Sequence, residues 1–264
     1  WLYATNILAT LRGSGETPLQ TAHFWSLAVE EQFYLIWPFI VWRCSRSVLW
    51  RVAVGAVGLA LLVRIALVVA LPNGIEGAYV LMPARIDALG IGAILALLVR
   101  DPDGLAWIAR VQRFLLPGAV LAILSIFAIR GSFEYRDPIV VTVGFSIVAL
   151  GCGALIGRSL VAPVMSRTSR FFRSRVLRSL GRYSYALYVV HYPLFYPVNR
   201  LNLLSRIPRV LGSILPGWIV MSIVLVGSAF AVAWVSWRVY ESPILRLKRF
   251  VPEPIASGSK NMAV

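Results

Sequence analysis

Charge is scarce in this chain: of 264 residues, 14% are Asp, Glu, Lys or Arg, where a soluble domain carries about 25%. With 59% hydrophobic residues and a mean hydropathy of +0.77, that shortage excludes an ordinary soluble domain and predicts a polytopic membrane protein. Cysteine is nearly absent. Cys44 and Cys152 are the only two, one expected at a helix end and the other inside an apolar run, so no metal site or redox pair is indicated and no disulfide is needed. No positively charged segment precedes the opening Trp1-Leu2-Tyr3-Ala4-Thr5-Asn6-Ile7-Leu8, which reads as the last turns of a hydrophobic helix in a chain that starts inside a longer protein. Acid is the scarcer sign, 11 residues against 26 basic ones, for a formal net charge of +15. The basic residues fall in short blocks between apolar runs, as cytoplasmic loops do, so the excess is read as topology and no nucleic-acid partner is expected.

A span needs roughly twenty apolar residues. Seven segments come close, at about 24–42, 52–71, 84–99, 114–130, 139–157, 183–199 and 214–237. The predicted fold is an all-α polytopic membrane bundle of about seven complete spans plus the remnant of a preceding one, with a membrane domain over 1–250 and a short, disordered cytoplasmic tail over 251–264. Arg43, Arg46 and Arg51 follow the first span, Arg100, Arg110 and Arg113 the third, and Arg158 with the arginines of 167–182 the fifth. Those loops are placed in the cytoplasm, as is the tail with Arg246, Lys248 and Arg249. The loop with Arg200, Arg206 and Arg209 is the weak point, since the alternation puts it outside.

The most informative stretch is Trp25-Ser26-Leu27-Ala28-Val29-Glu30-Glu31-Gln32-Phe33-Tyr34. An ionised carboxylate in hydrocarbon costs about 3 kcal/mol even on lenient scales, so such residues are expected to face a protein interior or a wet cavity. Residues 23, 27, 30 and 34 share one helical face, which lets His23, Glu30 and Tyr34 line one side together while Glu31 points about 100° away. An imidazole, a carboxylate and a phenol in that order suit proton movement or orientation of a hydroxyl acceptor; the alternative is a structural polar cluster tied to an arginine elsewhere. Arg85 and Asp87, two residues apart on the third span, do not face each other, and each needs a partner on another helix, Glu30 or Glu31 for Arg85. An interfacial arginine with a dipole-favoured aspartate is the competing reading. His191 is predicted mid-span on the face of Ser184, Leu187 and Tyr188, where a histidine is more often functional. Glu241 is read as a structural contact beyond the last span. The basic stretch 164–182 reads first as a surface helix on anionic lipid, and second as a phosphate site.

Together these segments resemble the membrane acyltransferase family called acyltransferase 3. The resemblance rests on Trp25-Ser26-Leu27-x-x-Glu30-Glu31-Gln32-Phe33-Tyr34, with Arg85-x-Asp87-Ala88-Leu89-x-x-Gly92, Ser184-Tyr185-x-Leu187-Tyr188-x-x-His191-x-Pro193 and Glu241-x-Pro243 in the same order. It implies transfer of an acyl group, most often acetyl, from a cytoplasmic coenzyme A thioester to a hydroxyl of a surface or secreted carbohydrate such as O-antigen or exopolysaccharide, in the bacterial inner membrane. It implies acetyl-CoA as donor substrate, no permanently bound cofactor and no metal. Glu30, Tyr34, Arg85 and His191 are then the candidate catalytic lining, and His23, Glu31, Asp87, Ser184 and Tyr185 the acceptor-binding set. Arg173, Arg175 and Arg178 are candidates for the coenzyme's phosphates. The family's principal base, a histidine eleven positions after a basic residue in a first helix, is placed outside these 264 residues. No esterase-like domain is expected after Pro254. Two rival functions are a proton-coupled transporter or flippase, for which no inverted repeat is visible, and a non-catalytic fragment of the acyltransferase.

Overall fold

A computed structural model describes residues 3–12, 22–203 and 213–247. The regular elements among the described residues are helices, in two compact units, 1–178 and 179–264. The first contains α1 (Thr5–Arg12), α2 (Trp25–Arg43), α3 (Arg46–Ala70), α4 (Gly74–Val80), α5 (Met82–Val99), α6 (Gly104–Arg130), α7 (Phe145–Val161) and α8 (Arg167–Phe172). α9 (Arg175–Arg200) begins at the end of that unit, and α10 (Leu215–Ser236) and α11 (Ser242–Arg246) belong to the second. The expected tail over 251–264, and Arg206, Arg209, Lys248 and Arg249, lie outside the described residues.

Among the described residues, five stretches are long and apolar enough to cross a membrane: Arg46–Ala70, Gly74–Val99, Gly104–Arg130, Val140–Val161 and Leu215–Arg246. This corrects the expected seven. The segment at 24–42 is a helix of 19 residues, but Glu30-Glu31-Gln32 in its middle cancels much of its apolar character. The segment at 183–199 lies in an amphipathic helix whose sequence carries Arg178, Arg182, His191 and Arg200. The short third segment is lengthened from its front by α4, which turns at Leu81 into α5. α1 runs four residues past the expected helix end at Leu8.

Within the first unit, α3 and α5 are antiparallel neighbours. Gly90 lets their backbones meet, since a Cβ there would lie 3.1 Å from the Ala53 carbonyl oxygen. Between α5 and α7, Gly153 makes room for the side chain of Ile91, whose Cγ2 would lie 2.5 Å from a Cβ there. At the basic end Arg46 donates to the carbonyls of Leu97 at 3.0 Å and Arg100 at 3.2 Å, and pairs with Asp101 at 2.9 Å. It thereby satisfies acceptors that the end of α5 leaves open. α1 is held to α2 by a reciprocal amide pair: Asn6 Nδ2 donates to Gln32 Oε1 and Gln32 Nε2 to Asn6 Oδ1, both at 3.1 Å, with Asn6 buried. α6 stops at Gly131, whose φ of 72° is the left-handed cap that glycine adopts without strain.

In the second unit Tyr183 and Ala186 of α9 pack with Ala233 of α10, flanked by Phe230 and Trp237. A π-helical turn, Trp237–Glu241, joins α10 to α11. Ser236 Oγ donates to Glu241 Oε1 at 3.3 Å, and this glutamate, expected beyond the last span, lies within the apolar stretch Leu215–Arg246.

Candidate functional site

The apolar run of α3 is broken by Arg64, six residues before the helix ends at Ala70, hence about 9 Å along the axis from that end. A guanidinium there must find partners inside the protein, and it does. Arg64 is fully buried; Nη1 donates to the Ala84 carbonyl at 2.7 Å, and Nη2 to Asp87 Oδ2 at 2.8 Å and to Ser146 Oγ. Ser146 Oγ passes a hydrogen bond on to Asp87 Oδ2 at 3.0 Å, and Asp87 Oδ1 accepts from the Ala88 N–H at 3.0 Å. Three helices are thus tied at one level by one cation, one carboxylate and one hydroxyl.

Ser146 reaches that point because the chain enters α7 through a π-helical turn, Val140–Gly144. A π turn carries one more residue than an α turn and is common at functional sites. The extra residue rotates everything after it by about 100°, which sets Phe145 and Ser146 against α5. Asp137 anchors the entry. It pairs with Arg130 Nε at 2.6 Å and accepts from the N–H groups of Ile139 at 2.8 Å and Val140 at 3.4 Å. Partial burial pushes its carboxyl up, but these hydrogen bonds outweigh that and hold it below the usual carboxylate range.

Arg85 points away from this triad. It is half-buried, with its guanidinium 4.4 Å from the Phe145 ring centre and 5.9 Å from that of Trp25. Tyr79 completes the aromatic wall, stacked on Tyr135 at 4.2 Å and tilted against Trp25 at 4.7 Å. Cation–π contact stabilises a guanidinium but leaves its N–H donors unused, and among the described residues Arg85 makes no ion pair or hydrogen bond. It stands at one end of a cavity of about 500 Å³ that runs between α5 and α7 past Asp87, Gly92, Phe145, Cys152 and Ile156.

The other expected site residues of the first unit do not join it. Glu30 and Tyr34 lie on the exposed side of α2, whose buried side is formed by Ala28, Val29 and Phe33, with Gln32 bonded to α1. The expected pairing of Arg85 with Glu30 or Glu31 is therefore replaced by its aromatic seat, and Asp87's partner is Arg64. Glu31 and His23 are half-buried, the latter with its ring 4.3 Å from Phe24. In the second unit Ser184, Tyr185 and His191 are exposed on α9; Ser184 donates to the Gly181 carbonyl at 2.9 Å, and His191 Nδ1 lies 2.6 Å from that of Tyr188. Arg173, Arg175 and Arg178 are exposed. Arg64 and Ser146 were not among the expected residues. Arg64 had a readable signal, a lone charge in the middle of an apolar run, whereas a serine at a π turn has none.

An acyltransferase-domain family model matches residues 2–238. The chain belongs to the acyltransferase 3 family. It is 28% identical over 235 residues to the peptidoglycan O-acetyltransferase OatA of Listeria monocytogenes serovar 1/2a, an alignment covering 86% of this chain and 35% of that protein. It is 24% identical over 252 residues to the O-acetyltransferase OatA of Staphylococcus aureus strain NCTC 8325, covering 92% and 39%. The chain thus spans little more than a third of the length of these relatives. No solved structure matches it. Family and apolar helices together make this acyltransferase 3 member a multi-pass bacterial membrane protein.

Proposed function

We propose that this chain is the membrane part of an O-acyltransferase that moves an acyl group, acetyl in the first instance, from an acyl-CoA on the cytoplasmic side to a hydroxyl of a cell-surface carbohydrate. The named relatives are O-acetyltransferases, one of them acting on peptidoglycan, which supports the acetyl group and a polysaccharide acceptor. The observation that carries the reading is Arg85: a cation inside the bundle, oriented by two rings, with free donors at the end of a cavity.

In acyl transfer the hydroxyl oxygen forms a C–O bond to the thioester carbonyl carbon, the C–S bond breaks, and the hydroxyl proton ends on the departing thiol. Negative charge gathers on the carbonyl oxygen between those events. Donors preorganised in a dry site stabilise it strongly, and Arg85 is the group we assign to that role. The Arg64–Asp87–Ser146 triad fixes the α5 turn from which Arg85 projects, so these three are positioning residues. Glu30 and Tyr34 on α2 and His191 on α9 remain candidates for the catalytic lining, the first two for handling the hydroxyl proton.

The test is Arg85→Gln in the full-length protein, with acetylation of surface glycans read by mass spectrometry. Loss of one oxyanion donor costs about 10²–10³ in rate, so acetylation should fall to background while membrane insertion is kept, with Arg85→Lys restoring part of it. Glu30→Gln should also abolish transfer if Glu30 takes the proton. Full acetylation by Arg85→Gln would remove Arg85 from the chemistry.

A further inference from the structure

The cavity beside Arg85 extends well beyond what one acyl group needs. From Arg85 to Leu95, which both line it, α5 advances ten residues, about 15 Å, half of a hydrocarbon core of about 30 Å. Beyond Arg85 and Asp87 its walls are apolar: Ala88, Ile91 and Leu95 face Val148, Ala149 and Ile156.

Gly92 lines this lane, and a Cβ on it would meet nothing within 4 Å. Glycine is disfavoured in a helix interior relative to alanine, and close packing compensates for that at Gly90 and Gly153. At Gly92 no protein atom takes the space. The smallness of that position keeps the lane open.

The two ends differ in charge. The start of α3, with Arg43, Arg46 and Arg51 around it, is the cytoplasmic side by the distribution of basic residues, so Arg64 and Arg85 belong to the outer half. We propose that this lane binds an anionic phospholipid of the outer leaflet, its phosphate on the free donors of Arg85 and one acyl chain along Gly92 toward Leu95 and Ile156. Planar guanidinium donors match a phosphate. The lane length matches one leaflet, and the bilayer itself supplies the ligand. The claim concerns binding and stands whether or not acyl transfer is the reaction; if it is, an acceptor at Arg85 must displace the lipid head.

The experiment places the full-length protein in phosphatidylcholine nanodiscs containing phosphatidylglycerol with a photoactivatable diazirine in one acyl chain, and maps crosslinked peptides by mass spectrometry. Labelling should concentrate on the peptides holding Gly92–Leu95 and Val148–Ile156, above the lipid-exposed face of α6 with Leu121 and Leu124. Arg85→Gln should lower that labelling about fivefold, as loss of one basic contact to an anionic headgroup predicts, and Arg85→Lys should keep most of it. Gly92→Leu, which has room to fold, should block the lane with Arg85 intact. Labelling equal on α6 and the lane, unchanged by either Arg85→Gln or Gly92→Leu, or equal with a zwitterionic phosphatidylcholine probe, would overturn the proposal.

Discussion

Replacing Asp87 by asparagine keeps the shape of the side chain and removes its charge, leaving Arg64 without a counter-ion. The side chains of Arg64 and Asp87 are 0% and 3% exposed, so no solvent can take over from the lost carboxylate. Breaking a buried pair from one side costs about 3–5 kcal/mol, which shifts the folding equilibrium by a factor between about a hundred and a few thousand. Ser146 both accepts from Arg64 and donates to Asp87; Ser146→Ala should cost about 1–3 kcal/mol, the penalty for stranding a buried polar group. Removing both charges together, as Arg64→Met with Asp87→Leu, should recover most of the loss, because a buried pair is often no better than apolar residues of similar volume. The assay is reversible unfolding of the full-length protein in mixed micelles by dodecyl sulfate titration, followed by tryptophan fluorescence. An Asp87→Asn protein within about 1 kcal/mol of the parent, or a double variant as damaged as the single one, would refute the argument that charge balance at this level holds the three helices.

Two further outcomes follow from the entry to α7. Deleting Val143, an exposed residue within the π turn, should convert that turn to α and rotate Phe145 and Ser146 away from α5; the proposed acyl transfer should be lost while α6 and α7 stay helical by circular dichroism, and retained activity would show that the register is unimportant. Asp137 is held below the ordinary carboxylate range in the folded protein, so its contribution is present in full above the unfolded carboxyl's range and disappears as pH falls through the lower folded value. Amide exchange at Ile139 and Val140, corrected for its intrinsic pH dependence, should therefore accelerate on acidification, and Asp137→Asn should flatten that profile; an unaltered profile in the variant would show that another group is responsible.

Hydropathy located the helices well where apolar residues run unbroken, but it set the starts of α3 and α6 too late. Arg46, Arg51, Arg110 and Arg113 lie within those helices, because a helix continues into the interface after its hydrocarbon stretch ends. The same averaging counted α2 as a span by length when Glu30, Glu31 and Gln32 reduce its apolarity below that of the five spanning stretches. Asp87 was legible as a charge that needed a partner, but which partner depends on the α3–α5 pairing, and that is a tertiary fact. Arg85 was legible as a charge in need of a partner, yet its surroundings are aromatic rings from α2 and α7, two elements whose approach no periodicity announces. The rotation at 140–144 left no trace in composition, so Ser146 could not be named in advance.

Arg46 at one end and Arg64 at the other fasten α5 to α3 at two levels far apart along their length. A pair of rods bolted at both ends can be neither splayed nor slid without breaking a charged contact. Whatever breathing admits a bulky guest then falls to α7, which at the same level is joined to this plank by the Ser146 hydroxyl and the Phe145 ring on Arg85, with no charge of its own.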